Sequence, residues 1–326
     1  MTFRARGLYA SSSKEPRRFR LGPWLVLGAL VVAGLVVATA AAVLGNVSVD
    51  RGESSDSFAA PEAVEIDNRT GGGVSLTGGG EEVLVERVMR GSPLSDPGER
   101  VSEGGGELSL EASCSGVPLV GLFGHCTVDY VVTVPVGTAV RVDTASGPVS
   151  TENVDGELRL STTSGRVDVS GNAADVTVET VSGQVDVSGV EGALVAESTS
   201  GRITAEGEGE SLRVSTTSGT VEASEFRART VEVESTSGGV RVGGGFTSAE
   251  VSTVSGSIWV DTDTPFDLLS MESTSGSVQA VVPEGSYRVT GDSTSGSRDL
   301  EVDTSPGAKS RIDANTVSGS VSITSS

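Results

Sequence analysis

The sequence predicts an all-β fold, a single-stranded β-solenoid (β-helix) of about ten coils of 18–20 residues, preceded by one N-terminal transmembrane helix. Three observations predict it. Ten of the Ser-Gly pairs, from Ser146 to Ser318, recur in one repeating frame, apolar residues hold fixed offsets around these ten pairs, and an uncharged apolar run lies near the N-terminus. A fixed period of this length is typical of one supersecondary unit stacked on itself.

The Ser-Gly pairs mark one corner of each coil. Successive serines stand 18, 18, 18, 18, 19, 18, 20, 20 and 23 residues apart. Because glycine has no Cβ, we predict a positive φ and a sharp turn there. A serine repeated in every coil is interpreted as a structural corner residue, not a nucleophile. The pairs are Ser146-Gly147, Ser164-Gly165, Ser182-Gly183, Ser200-Gly201, Ser218-Gly219, Ser237-Gly238, Ser255-Gly256, Ser275-Gly276, Ser295-Gly296 and Ser318-Gly319.

Period-two patterns on both sides of the corner predict two strands per coil. The residue six before each serine is apolar, from Val140 to Ile312, and the residue two before it is Thr or Ser. Steps of two keep side chains on one strand face, so we predict an inward face of apolar, apolar, hydroxyl and hydroxyl residues. Apolar positions resume after the glycine, with Arg298 as the exception. The alternative all-β fold is a sandwich or barrel built of regular hairpins. Hairpins do not require every strand pair to repeat the same inward residues.

Longer spacings place extra residues at the second corner of some coils, because the inward positions keep their offsets. Insertions confined to one edge are typical of solenoids. They lie around Phe226, Thr264-Pro265, Pro283-Glu284-Gly285 and Ser305-Pro306-Gly307.

The N-terminus predicts membrane anchoring. Residues 1–20 carry six basic residues and one acidic residue and form a basic cytoplasmic tail; residues 21–45 are uncharged and long enough to span a bilayer as a signal-anchor helix. The positive-inside rule then places the N-terminus in the cytoplasm and the C-terminal domain outside the cytoplasm, as a single-pass cell-membrane protein. A cleaved signal peptide ending near Ala38-Thr39-Ala40 is the alternative.

The remainder of the chain is strongly acidic. Removing the tail from totals of 23 basic and 44 acidic residues leaves 17 and 43, a net charge of −26. Such a surface repels nucleic acid and anionic lipid, and it keeps a repetitive β-rod soluble. Cations or basic partners are the alternative reason for this charge.

Residues 46–62 are predicted as a polar tether, residues 63–135 as a divergent first coil and N-terminal cap, and residues 136–326 as the regular solenoid. Cys114 and Cys126 lie outside the membrane in this topology, so a disulfide is expected. The apolar loop that they close is either part of a stapled cap or a hydrophobic tip, and we favour the cap. The last coil predicts an open edge at Ile323, through which self-association is possible.

Two segments resemble a known family. They are VEIDNRTGGGVSLTG, with its Asn-Arg-Thr-Gly turn, and FGHCTVDYVVTVPVGTAVRVDTASGPVSTENVDGELRLSTTSGRVDVSG. Followed by the Ser-Gly coils in this order, they resemble the bacterial putative-adhesin family of β-strand-repeat envelope proteins, which is a domain-of-unknown-function family. They are also similar to LiaG-type proteins. The resemblance covers residues 63–326. It implies a β-solenoid on the cell exterior tethered by one helix, with no catalytic motif.

The sequence gives no catalytic, cofactor-binding or metal site, and no cofactor is expected. His125 alone cannot build the usual metal or base constellation. Closely spaced carboxylates could bind Ca²⁺ or act as acid and base, but they lack accompanying Arg, Lys and aromatic residues, so a solvated face is favoured. They are Asp261/Asp263, Glu232/Glu234 and Glu206/Glu208/Glu210.

Three functions remain. The first is non-catalytic binding or scaffolding of a cell-envelope polymer or protein; the others are a polysaccharide-active β-helix enzyme and a self-assembling envelope scaffold. Outward side chains would carry the binding: Arg141, Asp143, Arg159, Glu179, Glu197, Arg213, Glu232, Glu234, Glu250 and Glu272.

Overall fold

The computed structural model describes residues 21–45, 47–116, 125–172 and 174–326. One α-helix, α1 (Leu21–Gly45), opens this part of the chain, and its segment Leu25–Gly45 is long and apolar enough to cross a membrane. A signal sequence would have the same length and composition. All other regular structure in the described residues is β-strand.

The strands alternate with short turns along the whole chain. The N-terminal strands are β1 (Val49–Ala59), β2 (Ala63–Asn68), β3 (Val74–Gly78), β4 (Glu82–Gly91), β5 (Ser95–Gly104), β6 (Glu107–Gly116) and β7 (Thr127–Val134). The regular strands are β8 (Ala139–Thr144), β9 (Val149–Val154), β10 (Leu158–Thr162), β11 (Val167–Asn172), β12 (Val176–Thr180), β13 (Val185–Val190), β14 (Ala193–Ser198), β15 (Ile203–Glu208), β16 (Ser211–Thr216), β17 (Val221–Ser237), β18 (Val240–Gly244), β19 (Phe246–Ser255), β20 (Ile258–Thr262), β21 (Leu268–Ser275) and β22 (Val278–Val282). The last strands are β23 (Ser286–Thr290), β24 (Ser293–Ser295), β25 (Arg298–Glu301), β26 (Asp303–Thr304), β27 (Arg311–Ser318) and β28 (Val321–Ser325).

The strands stack into two parallel sheets, which confirms the predicted solenoid. We call the strands before the Ser-Gly corners sheet I and the strands after them sheet II. In sheet I, Leu158 pairs with Val140 on one side and Val176 on the other; in sheet II, Val167 pairs with Val149 and Val185. Equivalent residues of successive coils therefore lie side by side, about 4.8 Å apart.

The core consists of the inward ladders between the two sheets. Val178, Ala196 and Ile203 are 0 % exposed, as are most of their equivalents. Because these side chains are small, each coil buries little apolar surface by itself. We infer that stability arises mainly between neighbouring coils.

The coil order at the C-terminal end differs from the order in the sequence. Strand β27 pairs with β21 on one side and with β23 and β24 on the other, while β28 lies between β22 and β25. The last coil of the chain is thus inserted between its two predecessors. Ile323 is 0 % exposed, so the predicted open edge at this residue is wrong.

The physical reason lies in the coil that occupies the end instead. At inward positions this coil, residues 286–301, has Gly291 and Arg298, where other coils have larger or apolar side chains. The last coil has a full inward set that includes Ile312 and Ile323. Covering the last coil on both sides buries more apolar surface than covering the defective coil.

The N-terminal end is interleaved in the same way. Strands β2 and β3 lie between the pair β6/β7 and the pair β8/β9. Antiparallel strands complete this cap: β5 pairs with β6, β4 pairs with β7, and β1 pairs with β4. Residues 46–62, predicted as a tether, therefore contain an edge strand. The sequence looks like a tether because β1 is solvent-exposed on both faces and needs no apolar alternation.

The second corners explain the insertions. In short coils this corner holds Val154, Asn172 and Val190, which are all buried. The coils from Ser218 to Ser295 instead bury large rings in a row along the edge, three of them in coils with spacings of 19 or 20 residues: Phe226, Phe246, Phe266 and Tyr287. Ring centroids of Phe246 and Phe266, and of Phe266 and Tyr287, are 5.6 Å apart. The extra residues make room for a second row of core side chains.

Candidate binding surface

The Ser-Gly corners are structural, but not by the predicted geometry. Glycine is required because a Cβ on Gly183 would lie 1.9 Å from the carbonyl oxygen of Gly165, and one on Gly201 would lie 2.1 Å from that of Gly183. The φ angle of neither Gly183 nor Gly201 is positive, so the predicted positive φ is wrong there; among the ten corner glycines it holds for Gly276 and Gly319. Close approach of stacked backbones is the reason for glycine.

The ten repeated serines are exposed, whereas the sequence predicted them on the inward face. The chain turns at the corner, so the following glycine takes the inward place. The Thr or Ser two positions earlier is buried in nine of the ten coils, as predicted, and is half-buried at Ser293 in the end coil. Thr162 Oγ1 accepts a hydrogen bond from the backbone N–H of Gly165 at 2.9 Å, and Thr180 Oγ1 accepts one from Gly183 at 2.9 Å.

The cap contains the cysteine pair. Cys114 and Cys126 form a disulfide with their Cα atoms 6.1 Å apart. The backbone N–H of His125 donates to the carbonyl oxygen of Gly45 at 3.1 Å, which ties the end of α1 to the cap. Residues 117–124, and with them the hypothesis of a hydrophobic tip, lie outside the described residues.

Loss of the disulfide should destabilise the cap. The bond closes a loop with a sequence separation of 12, for which chain entropy predicts about 3 kcal/mol of stabilisation. We expect the C114S/C126S double variant to lose amide protection in β5–β7 while the coils from β10 onward stay protected. Hydrogen exchange read by mass spectrometry checks this, and equal protection in both proteins would contradict it.

A buried polar network closes the cap above the first coil. Tyr130 Oη donates to Glu99 at 2.9 Å, and Arg87 Nε lies 2.7 Å from the same carboxylate. Burial raises the pKa of Glu99, although the Tyr130 hydrogen bond and the Arg87 charge oppose the shift. Burial also raises the pKa of Tyr130. These contacts join β4, β5 and β7, so the network serves to hold the cap together.

Many outward charges pair between neighbouring coils. On sheet I, Arg213 lies 2.7 Å from Glu232, which belongs to the Glu232/Glu234 pair singled out in the sequence. On sheet II, Arg166 contacts both Asp168 and Asp186 at 2.8 and 2.7 Å. Exposed pairs of this kind contribute about 0–1 kcal/mol each. For these residues, the solvated-face interpretation is adequate.

A groove of about 640 Å³ crosses the outer face of sheet II. Its floor is a row of side chains, one from each of five stacked coils: Ser75, Ser150, Asp168, Asp186 and Thr204. Ser150 Oγ donates to Ser75 Oγ at 3.0 Å. Hydroxyl and carboxylate groups thus lie in register along the rod axis. On sheet I, Glu179 and Glu197 line a smaller groove of about 350 Å³.

A second cavity of about 640 Å³ brings predicted carboxylates together. Asp261, Asp263 and Glu208 line it with Glu225 and Arg227. Sequence reasoning missed Glu225 and Arg227 because β17 runs through the second corner, where the register against β15 shifts. Glu206 belongs to the first groove. Within the described residues, no group of three or more His, Cys, Asp or Glu could hold a metal ion.

Comparison with solved structures finds proteins described as putative adhesins, all with low sequence identity. A putative adhesin from Bacteroides fragilis is 15 % identical, with 85 % of this chain and 98 % of that chain covered and a TM-score of 0.37. One from Parabacteroides distasonis is 13 % identical, with 86 % and 98 % covered and a TM-score of 0.37. A putative cell adhesion protein from Clostridium sporogenes is 10 % identical, with 84 % and 99 % covered and a TM-score of 0.21.

No curated protein matches the sequence significantly. The profile of the Toastrack DUF4097 family matches residues 174–324, which include the coils from β12 onward and both interleaved C-terminal coils. The similarity to LiaG-type proteins stays a prediction. Residues 174–324 are therefore similar to the Toastrack DUF4097 family, a domain-of-unknown-function family, in agreement with the resemblance of the Ser-Gly coils.

Proposed function

We propose that this protein is a membrane-anchored, extracytoplasmic β-solenoid that binds or scaffolds a polymer or protein of the cell envelope without catalysis. The observation that carries the proposal is the groove on sheet II. Its polar row crosses five stacked coils, so at about 4.8 Å per step it extends about 19 Å along the rod. An open, repetitive row suits a linear partner lying along the axis better than a compact substrate.

The position of α1 supports the anchoring part of the proposal. The carbonyl oxygen of Gly45, the last residue of α1, accepts a hydrogen bond from His125 of the cap, and the first regular coil stacks on β2 and β3 of the cap. With the basic tail in the cytoplasm, the grooves would be presented outside the membrane.

The two alternative functions have less support. A general acid is usually prepared by burial that raises its pKa, whereas Asp261 and Asp263 are both exposed. Self-assembly would use the rod end, where the edge strand β25 carries Arg298, Asp299 and Glu301. Charged residues on a short edge strand oppose strand addition.

The proposal is tested by co-sedimentation of the full-length protein in lipid nanodiscs with purified bacterial cell-wall sacculi. We expect capture of the wild type and at least tenfold weaker capture of Asp186→Lys. Asp313→Lys is the matched control, because Asp313 also pairs with an arginine, at 2.8 Å, and lies on sheet I. Side-chain exposure is 27 % for Asp186 and 26 % for Asp313. Absence of wild-type capture, or equal loss in both variants, would overturn the proposal.

A further inference from the structure

Trp259 is an exposed aromatic side chain on the outer face of sheet II. It is 44 % exposed, and its neighbours across the ladder are Arg241 and Gln279. Equivalent positions in other coils are Ser150, Asp168 and Thr204. The indole is not part of the core, and exposed tryptophans are enriched at binding surfaces, where one ring face can cover an apolar group of a partner.

The surroundings of Trp259 leave the indole uncovered. Gly239 and Gly243 stand diagonal to it in the preceding coil. A Cβ on Gly243 would lie 2.3 Å from the carbonyl oxygen of Ser224, so packing requires that glycine. A Cβ on Gly239 would meet only the carbonyl oxygen of Ser257, at 3.9 Å. Packing therefore does not require glycine at 239, and its effect is to leave one flank of the ring open.

Polar groups of both kinds lie around the ring. Arg241 donates, Gln279 donates and accepts, and Asp261, two residues along the same strand face, accepts. Asp261 also lines the second cavity, with Asp263, Glu208, Glu225 and Arg227. The volume of about 640 Å³ is within the range of small-ligand sites.

We propose that Trp259 and the cavity beside it bind an uncharged glycan chain; this rests on the proposed envelope-binding function and names its ligand class. A sugar ring has an apolar C–H face that stacks on an indole and a hydroxyl rim that both donates and accepts. Four carboxylates against Arg227 make the cavity acidic, which repels uronic-acid and phosphate polymers. Arg227 lies among these carboxylates and Arg241 lies 3.3 Å from Glu222, so donors and acceptors stand side by side, as an uncharged hydroxyl rim requires.

The chain contains two tryptophans, Trp24 and Trp259, so Trp259 becomes the sole intrinsic fluorophore in a Trp24→Phe variant. We would titrate this variant, full-length in nanodiscs free of sugar detergent, with cellohexaose, chitohexaose and mannohexaose. Oligogalacturonate and hexalysine serve as anionic and cationic probes. We expect a saturable emission change with at least one neutral hexasaccharide and none with either charged probe. A response to a charged probe alone, or to none of the probes, would overturn the proposal.

Two further variants separate binding from folding. Gly239→Gln should weaken binding at least tenfold with an unchanged melting temperature, because its side chain covers the ring without a backbone clash. Val254→Ala, which trims an exposed side chain at the neighbouring corner, should bind normally. Normal binding by Gly239→Gln would contradict the site.

Trp259→Ala distinguishes the two levels of the hypothesis. Suppose that the Trp259→Ala variant still sediments with sacculi and that neutral hexasaccharides do not bind the Trp24→Phe protein. The glycan site is then wrong, and envelope binding stands. If the parent binds a hexasaccharide but no sacculi, the site stands and the envelope function fails. Chromatography of the bound hexasaccharide should find it intact; shortened products would support the site but overturn the non-catalytic function.

Discussion

Gly183→Ala should strongly destabilise the solenoid, although it adds only one methyl group. The new Cβ would lie 1.9 Å from the carbonyl oxygen of Gly165 in the neighbouring coil. Neither backbone can retreat, because each is held by hydrogen bonds on both sides of the stack. We expect a loss of about 3 kcal/mol, at the upper end of the usual cost of overpacking. Urea unfolding followed by circular dichroism measures it.

Gly239→Ala is the matched control, since it adds the same methyl group in the same repeat. Its Cβ would have one neighbour, at 3.9 Å, and reduced freedom of the unfolded chain offsets any residual cost. We expect a change within about 0.5 kcal/mol. Equal destabilisation by the two substitutions would mean that the stacked corner carbonyls are not the reason for the repeated glycine.

The ladders could be predicted from the sequence because each inward position recurs in every coil and is nearly always apolar. Val140, Leu158 and Val176 occupy the same register in consecutive coils, so chance variation at one residue does not hide the pattern. The serines show the limit of this reasoning. In the sequence the period of two continues through Ser164, but in the structure the chain turns at that residue. Side chains alternate between inward and outward only along an extended strand, so the pattern does not predict the orientation of a corner residue.

The order of the coils could not be predicted, because every inward ladder is compatible with its neighbours in either order. The sequence did contain a signal in Arg298 and Gly291, which break the ladders of one coil. Such a coil is the least costly to leave at an end, whatever its place in the chain. The candidate glycan site was also hidden, since Trp259, Arg241 and Gln279 are about 20 residues apart and meet only through the ladder pairing.

The second-corner insertions illustrate a related point. The spacing of the Ser-Gly pairs predicted them around Phe226 and Thr264-Pro265 but gave no reason for the extra residues. In the structure these stretches bury a row of rings, and a Cβ on Gly209 would lie 2.9 Å from Cζ of Phe226. Extra length at one corner thus increased the core. The functional candidates lie on the outer faces, where individual coils differ without any cost to packing.

Ile323→Ala should destabilise the protein by about 3 kcal/mol, within the range for truncating a fully buried isoleucine. Leu300→Ala is its matched partner, because Leu300 pairs directly with Ile323 in the ladder and loses a similar number of carbons. Leu300 belongs to the end coil and is only partly buried, so we expect a cost of about 1 kcal/mol for its truncation. Had the coils stacked in sequence order, Leu300 would be covered on both sides and Ile323 would lie at the edge. Urea unfolding of the two variants therefore tests the interleaved order, and a larger loss for Leu300→Ala would contradict it.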